Sequence, residues 1–231
     1  MIKSPKIVVI IPAYNEENSI AKVIRDIPAG LVNEVIVVNN NSNDATDINA
    51  RNAGATVLHE DRPGYGFACL KGIEYAKLLQ PSPDIVVFID ADYSDHPEEM
   101  PMLVQPIINN EMDMVIGSRK LGKKEKGSMT VQQEVGNLIA TKLLKLFYNI
   151  NYTDLGPFRA IRYDKLLLLN MKDTTYGWTV EMQLKAAKFK MKIMEVAVSY
   201  RKRIGFSKIS GTVKGTMLAG YKIITTIFKY R

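Results

Sequence analysis

The first half of this chain is dominated by short runs of consecutive apolar, mostly β-branched residues, separated by segments long enough to form a helix. The runs lie at residues 6–11, 34–38, 55–59, 84–89 and 113–117. A continuous apolar run without polar alternation is typical of a strand buried on both faces of a parallel sheet. Because helical patterns separate the runs, they predict right-handed βαβ units and therefore an α/β fold with a doubly wound, mainly parallel sheet.

The second half of the chain is predicted to be more helical. Its patterns indicate helices over 132–150, 181–189 and 215–230, and strands after the turn at Gly156 and over 192–198. One face of the first of these helices carries Val135, Leu138, Ile139, Leu143 and Leu146. No segment has the composition of a linker, so we expect one domain spanning 1–231 with two functional halves, 1–118 and 119–231.

The two halves carry opposite charge, which predicts different partners for them. Residues 1–118 have a net charge of −9, and residues 119–231 have a net charge of +16. Two stretches, 119–126 and 201–208, each carry +4 and favour a phosphorylated substrate or an anionic membrane. Since these stretches lack a pattern of interleaved aromatic residues and any known reader motif, we expect no nucleic-acid partner.

Polar side chains follow four of the predicted strands at the point where each strand ends. The residues at these positions are Pro12, Tyr14, Asn15 and Glu16 after the first strand, Asn39, Asn40, Asn41, Ser42 and Asp44 after the second, Asp90 and Asp92 after the fourth, and Ser118 and Arg119 after the fifth. The carboxyl ends of parallel strands meet at one edge of an open sheet, and ligands of such folds bind there. The sequence therefore predicts one site at this edge.

Asp90 and Asp92 are the sharpest feature of the predicted site. Two carboxylates one residue apart at a strand end are suited to a hard divalent cation, Mg²⁺ or Mn²⁺, that neutralises a diphosphate leaving group. With one cysteine, Cys69, and two histidines, the chain has no Cys-based or His-rich metal set. No phosphate-binding glycine loop competes, because the Gly64-x-Gly66 segment lacks the third glycine of the dinucleotide-binding motif.

The order and spacing of these motifs over residues 6–120 resemble those of family 2 glycosyltransferases of the GT-A type. The resemblance is carried by IPAYNEE at 11–17, VNNNSNDAT at 38–46, Asp90-Ala-Asp92 and Gly117-Ser-Arg119. The later segment YRKRIGFSK at 200–208 is similar to the R-x-x-G-x-S-K segment of the dolichyl- and polyprenyl-phosphate sugar synthases in that family. The resemblance implies a GT-A fold, with a Rossmann-like nucleotide-sugar-binding half and a C-terminal acceptor-binding half.

Carried over residue by residue, the resemblance implies that the nucleotide sugar is bound by Pro12, Tyr14, Glu16, Asn41, Asp90 and Asp92. Asp90 would face the ribose and the sugar, and Asp92, with Asp90, would hold the metal on the diphosphate. Two departures stand out. The family usually has aspartates where this chain has Asn39 to Asn41, and Ser94 stands where a Gln ligand often follows, so His96 or substrate oxygens are expected to complete the coordination.

The basic residues are predicted to serve the phosphates. A nucleoside diphosphate leaving group requires cationic stabilisation, which the metal and Arg119 would supply, so Asp90, Asp92 and Arg119 form the predicted catalytic set. A phosphate acceptor is already an anionic nucleophile and needs cations rather than a general base. The predicted acceptor-phosphate contacts are Arg119, Arg201, Arg203, Ser207 and Lys208.

Two further candidate residues, Glu181 and Trp178, each allow a functional and a structural interpretation. Glu181 stands where hydroxyl-acceptor relatives carry a catalytic carboxylate, but an acid at a helix start is also favoured by the helix dipole. Trp178 is predicted either to contact the sugar or lipid or to pack in the core. Asp154 and Arg159 would shape the sugar pocket.

The leading functional hypothesis is an enzyme that moves a hexose from a UDP-glucose or GDP-mannose type donor to a polyprenyl or dolichyl phosphate. It would be cytoplasmic, with peripheral contact at the cytoplasmic face of a membrane. One alternative is a soluble glycosyltransferase whose acceptor is small and phosphorylated, such as 3-phosphoglycerate. Another is a nucleotide-sugar-binding protein without catalysis.

The C-terminal stretch 215–231 bears on this choice. It has apolar residues at helical spacing and is too short and interrupted to span a bilayer. An amphipathic helix here is predicted either to lie in a membrane interface or to pack on the core of the domain.

Overall fold

The computed structural model describes residues 4–205 and 213–230. Its seven strands form one sheet in the order β3-β2-β1-β4-β6-β5-β7. The strands are β1 Ile7–Ala13, β2 Glu34–Asn39, β3 Thr56–His59, β4 Ile85–Phe88, β5 Met114–Ser118, β6 Arg159–Arg162 and β7 Ile193–Ala197. All neighbours pair in parallel except β6, which runs antiparallel to both β4 and β5. The predicted α/β class and the mainly parallel sheet are confirmed.

Eight helices complete the described part of the chain. They are α1 Ile20–Asp26, α2 Thr46–Asn52, α3 Tyr65–Ala76, α4 Met100–Ile108, α5 Val131–Tyr148, α6 Tyr163–Leu169, α7 Trp178–Lys188 and α8 Val213–Lys229, with a short 3-10 turn, Pro97–Glu99, before α4. The helices predicted over 132–150, 181–189 and 215–230 are confirmed within a few residues. Helix α6 was not predicted.

The sheet divides the interior into two apolar layers. Alternate residues of β1 point to opposite faces, so Val8 and Ile10 join the layer under α3 and α7, while Val9 and Ile11 join the layer under α1 and α4. Because both faces are covered, every residue of β1 is buried. Burial on both faces is the physical reason that these strands read as continuous apolar runs.

Strand β6 shows how the second half of the chain enters the sheet. It inserts between β4 and β5, with Val86 opposite Ile161 and Val115 opposite Ala160. Strand β7 then pairs with β5 at the edge, so the basic half supplies two of the seven strands. This arrangement brings the chain that follows β7 to the same sheet edge as the ends of β1, β2 and β4.

Helix α5 differs from what its pattern led us to expect. Ala140 and Leu144 face the core, whereas Val135, Leu138, Ile139 and Leu146 of the predicted apolar face are exposed. Only Leu143 of that face packs against the core. The outer side of α5 is therefore apolar.

Candidate active site

The main cavity of the described structure lies at the carboxyl edge of the sheet and has a volume of about 380 Å³. Its wall includes all six residues predicted to bind a nucleotide sugar: Pro12, Tyr14, Glu16, Asn41, Asp90 and Asp92. They come from the ends of β1, β2 and β4, which are neighbours in the sheet. Parallel pairing places these three strand ends side by side, so the fold brings together residues up to 80 positions apart in the chain.

The loops after β1 and β2 hold each other in place. The amide of Asn15 donates to the Ser42 hydroxyl over 2.9 Å, and the amide of Glu16 donates to the Thr46 hydroxyl over 2.7 Å. Asn15 and Asn41 adopt positive φ angles of 52° and 65°, which asparagine tolerates better than most residues. The asparagines of the second loop thus allow a tight backbone path that leaves Asn41 on the cavity wall.

Asn40, which was grouped with the predicted site but given no role of its own, fastens a third loop to the site. Its side-chain amide donates to the carbonyls of Glu60 and Arg62 over 2.8 Å each, and its carbonyl oxygen accepts from the amide of Gly64 over 2.8 Å. The loop between β3 and α3 therefore closes one side of the cavity. The only signal for this role in the sequence was an asparagine directly after a predicted strand.

The two carboxylates of the D-x-D motif have different surroundings. Asp90 accepts from the Tyr65 hydroxyl over 3.1 Å, and burial together with the charge of Asp92 raises its pKa to about 7. One oxygen of Asp92 accepts from the backbone amide of Ser94 over 2.9 Å, and the other faces Arg203 Nη1 over 3.2 Å. The contact of Tyr65 with Asp90 was missed because helix α3 reaches the site only in the folded chain.

Arg203 is a cation that lies between the carboxylates of Glu16 and Asp92. Its Nη2 donates to Glu16 over 2.8 Å while its Nη1 lies on Asp92. The backbone amide of Ile204 also donates to the Asp92 carbonyl over 3.0 Å. A guanidinium is thus drawn into the cavity by two carboxylates, which shows that the site has a place for positive charge beside Asp92.

This donor set fits a hard divalent cation. Asp90 and Asp92 offer carboxylate oxygens, the ligands that Mg²⁺ and Mn²⁺ prefer, and no described group of three His, Cys, Asp or Glu side chains has metal-site geometry. Magnesium commonly keeps water and substrate phosphate as its other ligands. His96, which we expected as one possible further ligand, lies 2.8 Å from Glu98, and Ser94, which stands where a Gln ligand often follows, donates its hydroxyl to Asp92.

Arg119 lies behind the cavity wall in a tight pair with Asp154. Its Nε and Nη2 each donate to the carboxylate over 2.7 Å, and its backbone amide donates over 2.9 Å. Burial alone raises the pKa of Asp154, but the charge and hydrogen bonds of Arg119 lower it overall. The pair fixes the Arg119 guanidinium in place. Its positive charge partly opposes the rise in the pKa of Asp90 that burial and Asp92 cause.

Arg201 has a positioning role in the structure. Its Nε donates to the carbonyl of Tyr93 over 2.8 Å, its Nη2 donates to that of Asp95 over 3.1 Å, and the guanidinium lies 3.5 Å from the centre of the Tyr93 ring. These contacts tie the segment after β7 to the loop that carries Asp92. Ser207 and Lys208, the other predicted acceptor contacts, lie outside the described residues.

The remaining candidates, Glu181, Trp178 and Arg159, are buried in the protein interior and do not line the cavity. The carboxylate of Glu181 is buried and accepts from the amides of Lys172 and Asp173 and from the Tyr230 hydroxyl. Trp178 is buried and packs edge-on against Phe88, with ring centres 5.9 Å apart. Arg159 is buried and donates to backbone carbonyls at Thr179 and Gly156. Glu181 is thus held away from the cavity by its own partners.

Asp95 is a carboxyl group that sequence analysis missed. It is 1% exposed, and neither of its oxygens has a hydrogen-bond partner among the described residues. Burial and the charges of Asp90 and Asp92 raise its pKa well above the usual value. Together the three carboxyl groups make this edge of the sheet strongly attractive to cations.

Comparisons with known proteins identify the family of the chain. The model of glycosyl transferase family 2 matches residues 8–167. An uncharacterized glycosyltransferase of Mycobacterium bovis is 34% identical over 92% of this chain and 94% of its own length. An undecaprenyl-phosphate mannosyltransferase of Micrococcus luteus is 28% identical over 91% of this chain and 90% of its own.

A solved structure is similar over almost the whole chain. It is glucosyl-3-phosphoglycerate synthase from Mycobacterium tuberculosis in complex with Mn²⁺, UDP and phosphoglyceric acid, with a TM-score of 0.77 and 25% identity over 98% of this chain and 78% of that one. The same enzyme has also been solved with Mg²⁺ and UDP. The expected GT-A fold and transferase class are confirmed, and this chain belongs to glycosyl transferase family 2.

Proposed function

We propose that this enzyme transfers a hexose from a nucleoside diphosphate sugar of the UDP-glucose or GDP-mannose type to the phosphate of a polyprenyl phosphate, at the cytoplasmic face of a membrane. The observation that carries the proposal is the guanidinium of Arg203, which projects into the cavity beside Asp92, with Arg119 behind the wall. An anionic acceptor needs such cations and needs no general base. The engagement of Glu181 with the framework agrees with a reaction that lacks a base at that position.

The reaction that fits is displacement at the anomeric carbon. An oxygen of the acceptor phosphate forms the new bond to that carbon, the bond to the diphosphate oxygen breaks, and its electron pair leaves with the nucleoside diphosphate. Asp92 and Asp90 would hold a divalent cation, which would supply charge neutralisation for that leaving group. The side chains of Tyr14, Glu16 and Asn41 hold the nucleoside end of the donor. Arg203 binds the acceptor phosphate, and buried Arg119 adds a fixed positive field.

Relatives support two acceptors. The name of the Micrococcus luteus relative states a polyprenyl phosphate, which favours the proposal. The solved synthase binds phosphoglyceric acid and covers 98% of this chain, which favours 3-phosphoglycerate as the second candidate. Both acceptors present a phosphate, so the same basic side chains serve either one.

A product assay separates the two acceptors. The enzyme is incubated with Mg²⁺ or Mn²⁺ and each of several radiolabelled UDP- and GDP-sugars, together with a short-chain polyprenyl phosphate or with 3-phosphoglycerate. We expect label to enter the organic phase with the polyprenyl phosphate. Label found only in a water-soluble product of 3-phosphoglycerate contradicts the lipid acceptor and establishes the second candidate. Release of nucleotide without any transferred sugar contradicts both.

A further prediction concerns Arg203. Because its guanidinium occupies the cation position beside Asp92, Arg203→Gln is expected to strengthen Mn²⁺ binding on the order of tenfold while lowering kcat/KM for the acceptor by a similar factor. Mn²⁺ binding is followed by electron paramagnetic resonance of the free ion, without turnover. Lys202→Gln removes a charge from the same segment, where Lys202 faces Glu125, and serves as the matched control. Unchanged Mn²⁺ affinity in Arg203→Gln contradicts the competition.

A further inference from the structure

The outer sides of α5 and α8 expose large apolar side chains. On α5 these are Val131, Val135, Leu138, Ile139 and Leu146, and on α8 they are Met217, Leu218, Tyr221, Ile224 and Phe228. At least 70% of the surface of Val131, Leu146, Met217 and Tyr221 is exposed. We call these ten residues the apolar surface. Monomeric soluble proteins rarely leave large side chains grouped in this way, unless the group binds something.

The apolar surface is the side of each helix that faces away from the core. On α5 the residues 131, 135, 138, 139 and 146 recur at helical spacing, and Ala140 and Leu144 on the opposite side are buried. On α8 the residues 217, 221, 224 and 228 form one stripe, while Thr226 and Ile227 are buried. Each helix therefore already has a buried face and carries a second apolar face that the described residues do not cover.

Direct contacts join the two helices. The rings of Phe147 on α5 and Phe228 on α8 lie 5.2 Å apart. The Tyr148 hydroxyl donates to the carbonyl of Ile227, one residue before Phe228. The two helices therefore pack on each other at their C-terminal ends, which sets Phe228 of the α8 stripe against α5.

The charges around the apolar surface identify its partner. Helix α8 has no acidic residue in its sequence, Lys229 near its end is exposed while Lys222 pairs with Asp173 over 3.1 Å, and the one acid of α5, Glu134, pairs with Lys124 over 2.6 Å. On α5, Lys142 is exposed within the stripe, four residues from both Leu138 and Leu146, and Lys145 is exposed at its edge. A second copy of this chain docked on the same face would bring these lysines together, which costs repulsion. An anionic lipid bilayer instead supplies both an apolar phase and negative headgroups.

We propose that the apolar surface seats the protein on an anionic phospholipid bilayer, with α5 and α8 lying in the interface. No helix among the described residues is long and apolar enough to cross a membrane, so the expected attachment is interfacial. At 1.5 Å per residue, the apolar stripe is about 23 Å long on α5, over residues 131–146, and about 17 Å long on α8, over residues 217–228.

The position of α5 connects this surface to the acceptor side of the active site. The Asn137 amide donates to the carbonyl of Thr153 over 3.1 Å, and its carbonyl oxygen accepts from the amide of Leu155 over 2.9 Å. Between these two residues lies Asp154, which holds Arg119. This part of the inference rests on the proposed function: a lipid phosphate reaching the site from the bilayer would meet the basic side chains next to α5.

Sedimentation with vesicles tests the surface without the acceptor. The full chain is mixed with vesicles of phosphatidylcholine alone or with phosphatidylglycerol added, and no polyprenyl phosphate is present. We expect binding to the anionic vesicles that weakens at high salt. The double variants Val135→Glu/Leu146→Glu and Met217→Glu/Tyr221→Glu should each reduce the bound fraction at least ~10-fold, since two apolar side chains leave the lipid. Leu78→Glu, an exposed apolar residue outside the surface, is the matched control.

The outcomes separate this proposal from the proposed function. Unchanged vesicle binding in both double variants contradicts the proposed membrane-binding surface. It is also contradicted if the full chain does not bind vesicles and instead forms dimers that the glutamate substitutions dissociate. Lys142→Gln/Lys145→Gln removes two positive charges, leaves the apolar residues intact and should lose only the preference for anionic vesicles. Transfer to a short, water-soluble polyprenyl phosphate should persist in every variant. If the wild type binds vesicles but does not carry out that transfer, the proposed function is wrong and the proposed membrane-binding surface is retained.

Discussion

Asp92→Asn is expected to lower hexose transfer at least ~100-fold, the loss typical of removing one group that stabilises developing charge. Asp92 lies in the turn after the buried strand β4, and one of its oxygens already faces a cation, the Arg203 guanidinium, over 3.2 Å. An asparagine keeps the shape of the side chain but removes its negative charge, so the divalent cation loses an anionic ligand. Initial rates at saturating donor and acceptor, over a range of Mg²⁺ and Mn²⁺ concentrations, measure the effect.

The control for this variant is Asp61→Asn, an exposed carboxylate outside the cavity. Its rate should stay close to that of the wild type. We also expect chelator to abolish transfer by the wild type and added Mn²⁺ to restore it. An Asp92→Asn enzyme that remains fully active in chelator contradicts the assignment of this residue to the metal.

The second large effect is on stability. Asp154→Ala is expected to lower the free energy of unfolding by about 3–5 kcal/mol, because it leaves the charge of Arg119 buried without its partner. The side chains of Asp154 and Arg119 are only 1% and 11% exposed, and two side-chain hydrogen bonds of 2.7 Å join them. Urea unfolding at pH 7 measures the change.

Two comparison variants show whether burial is the cause. The exposed pair of Arg162 and Asp164 has a similar contact of 3.1 Å, so Asp164→Ala should cost no more than about 1 kcal/mol. Arg119→Met/Asp154→Leu removes both charges and should recover much of the stability lost in Asp154→Ala, while transfer stays impaired. Equal stability losses for Asp154→Ala and Asp164→Ala contradict the explanation.

Local patterns were enough to predict the first half of the fold. Strands buried on both faces need continuous apolar runs, so their positions could be inferred directly from the sequence. Because parallel strands end at a common edge, the polar residues after β1, β2 and β4 could also be grouped into one site before the structure was known. Strand β6 was placed only roughly, since a two-residue apolar core, Ala160 and Ile161, does not reveal that it runs antiparallel.

The partners of Arg203 and Arg201 could not be predicted from the sequence. Arg203 meets Glu16 across 187 positions of sequence, and Arg201 meets Tyr93 across 108. Both arginines belong to a basic stretch whose composition indicated only that it binds an anion. The contacts exist because β7 lies beside β5 at the far edge of the sheet, and the chain after it returns across the strand ends.

The sequence by itself determined the α/β fold, the edge of the sheet that carries the site, and the D-x-D carboxylates, because each follows from residues that are close in the chain. The tertiary structure decided which cation lies on Asp92, which acids are engaged in the framework, and which side of α5 faces outward. Helical spacing predicts that a helix has an apolar side, but it does not specify what that side meets. In α5 the small residue Ala140 and Leu144 pack on the core, and the larger apolar stripe is left outside.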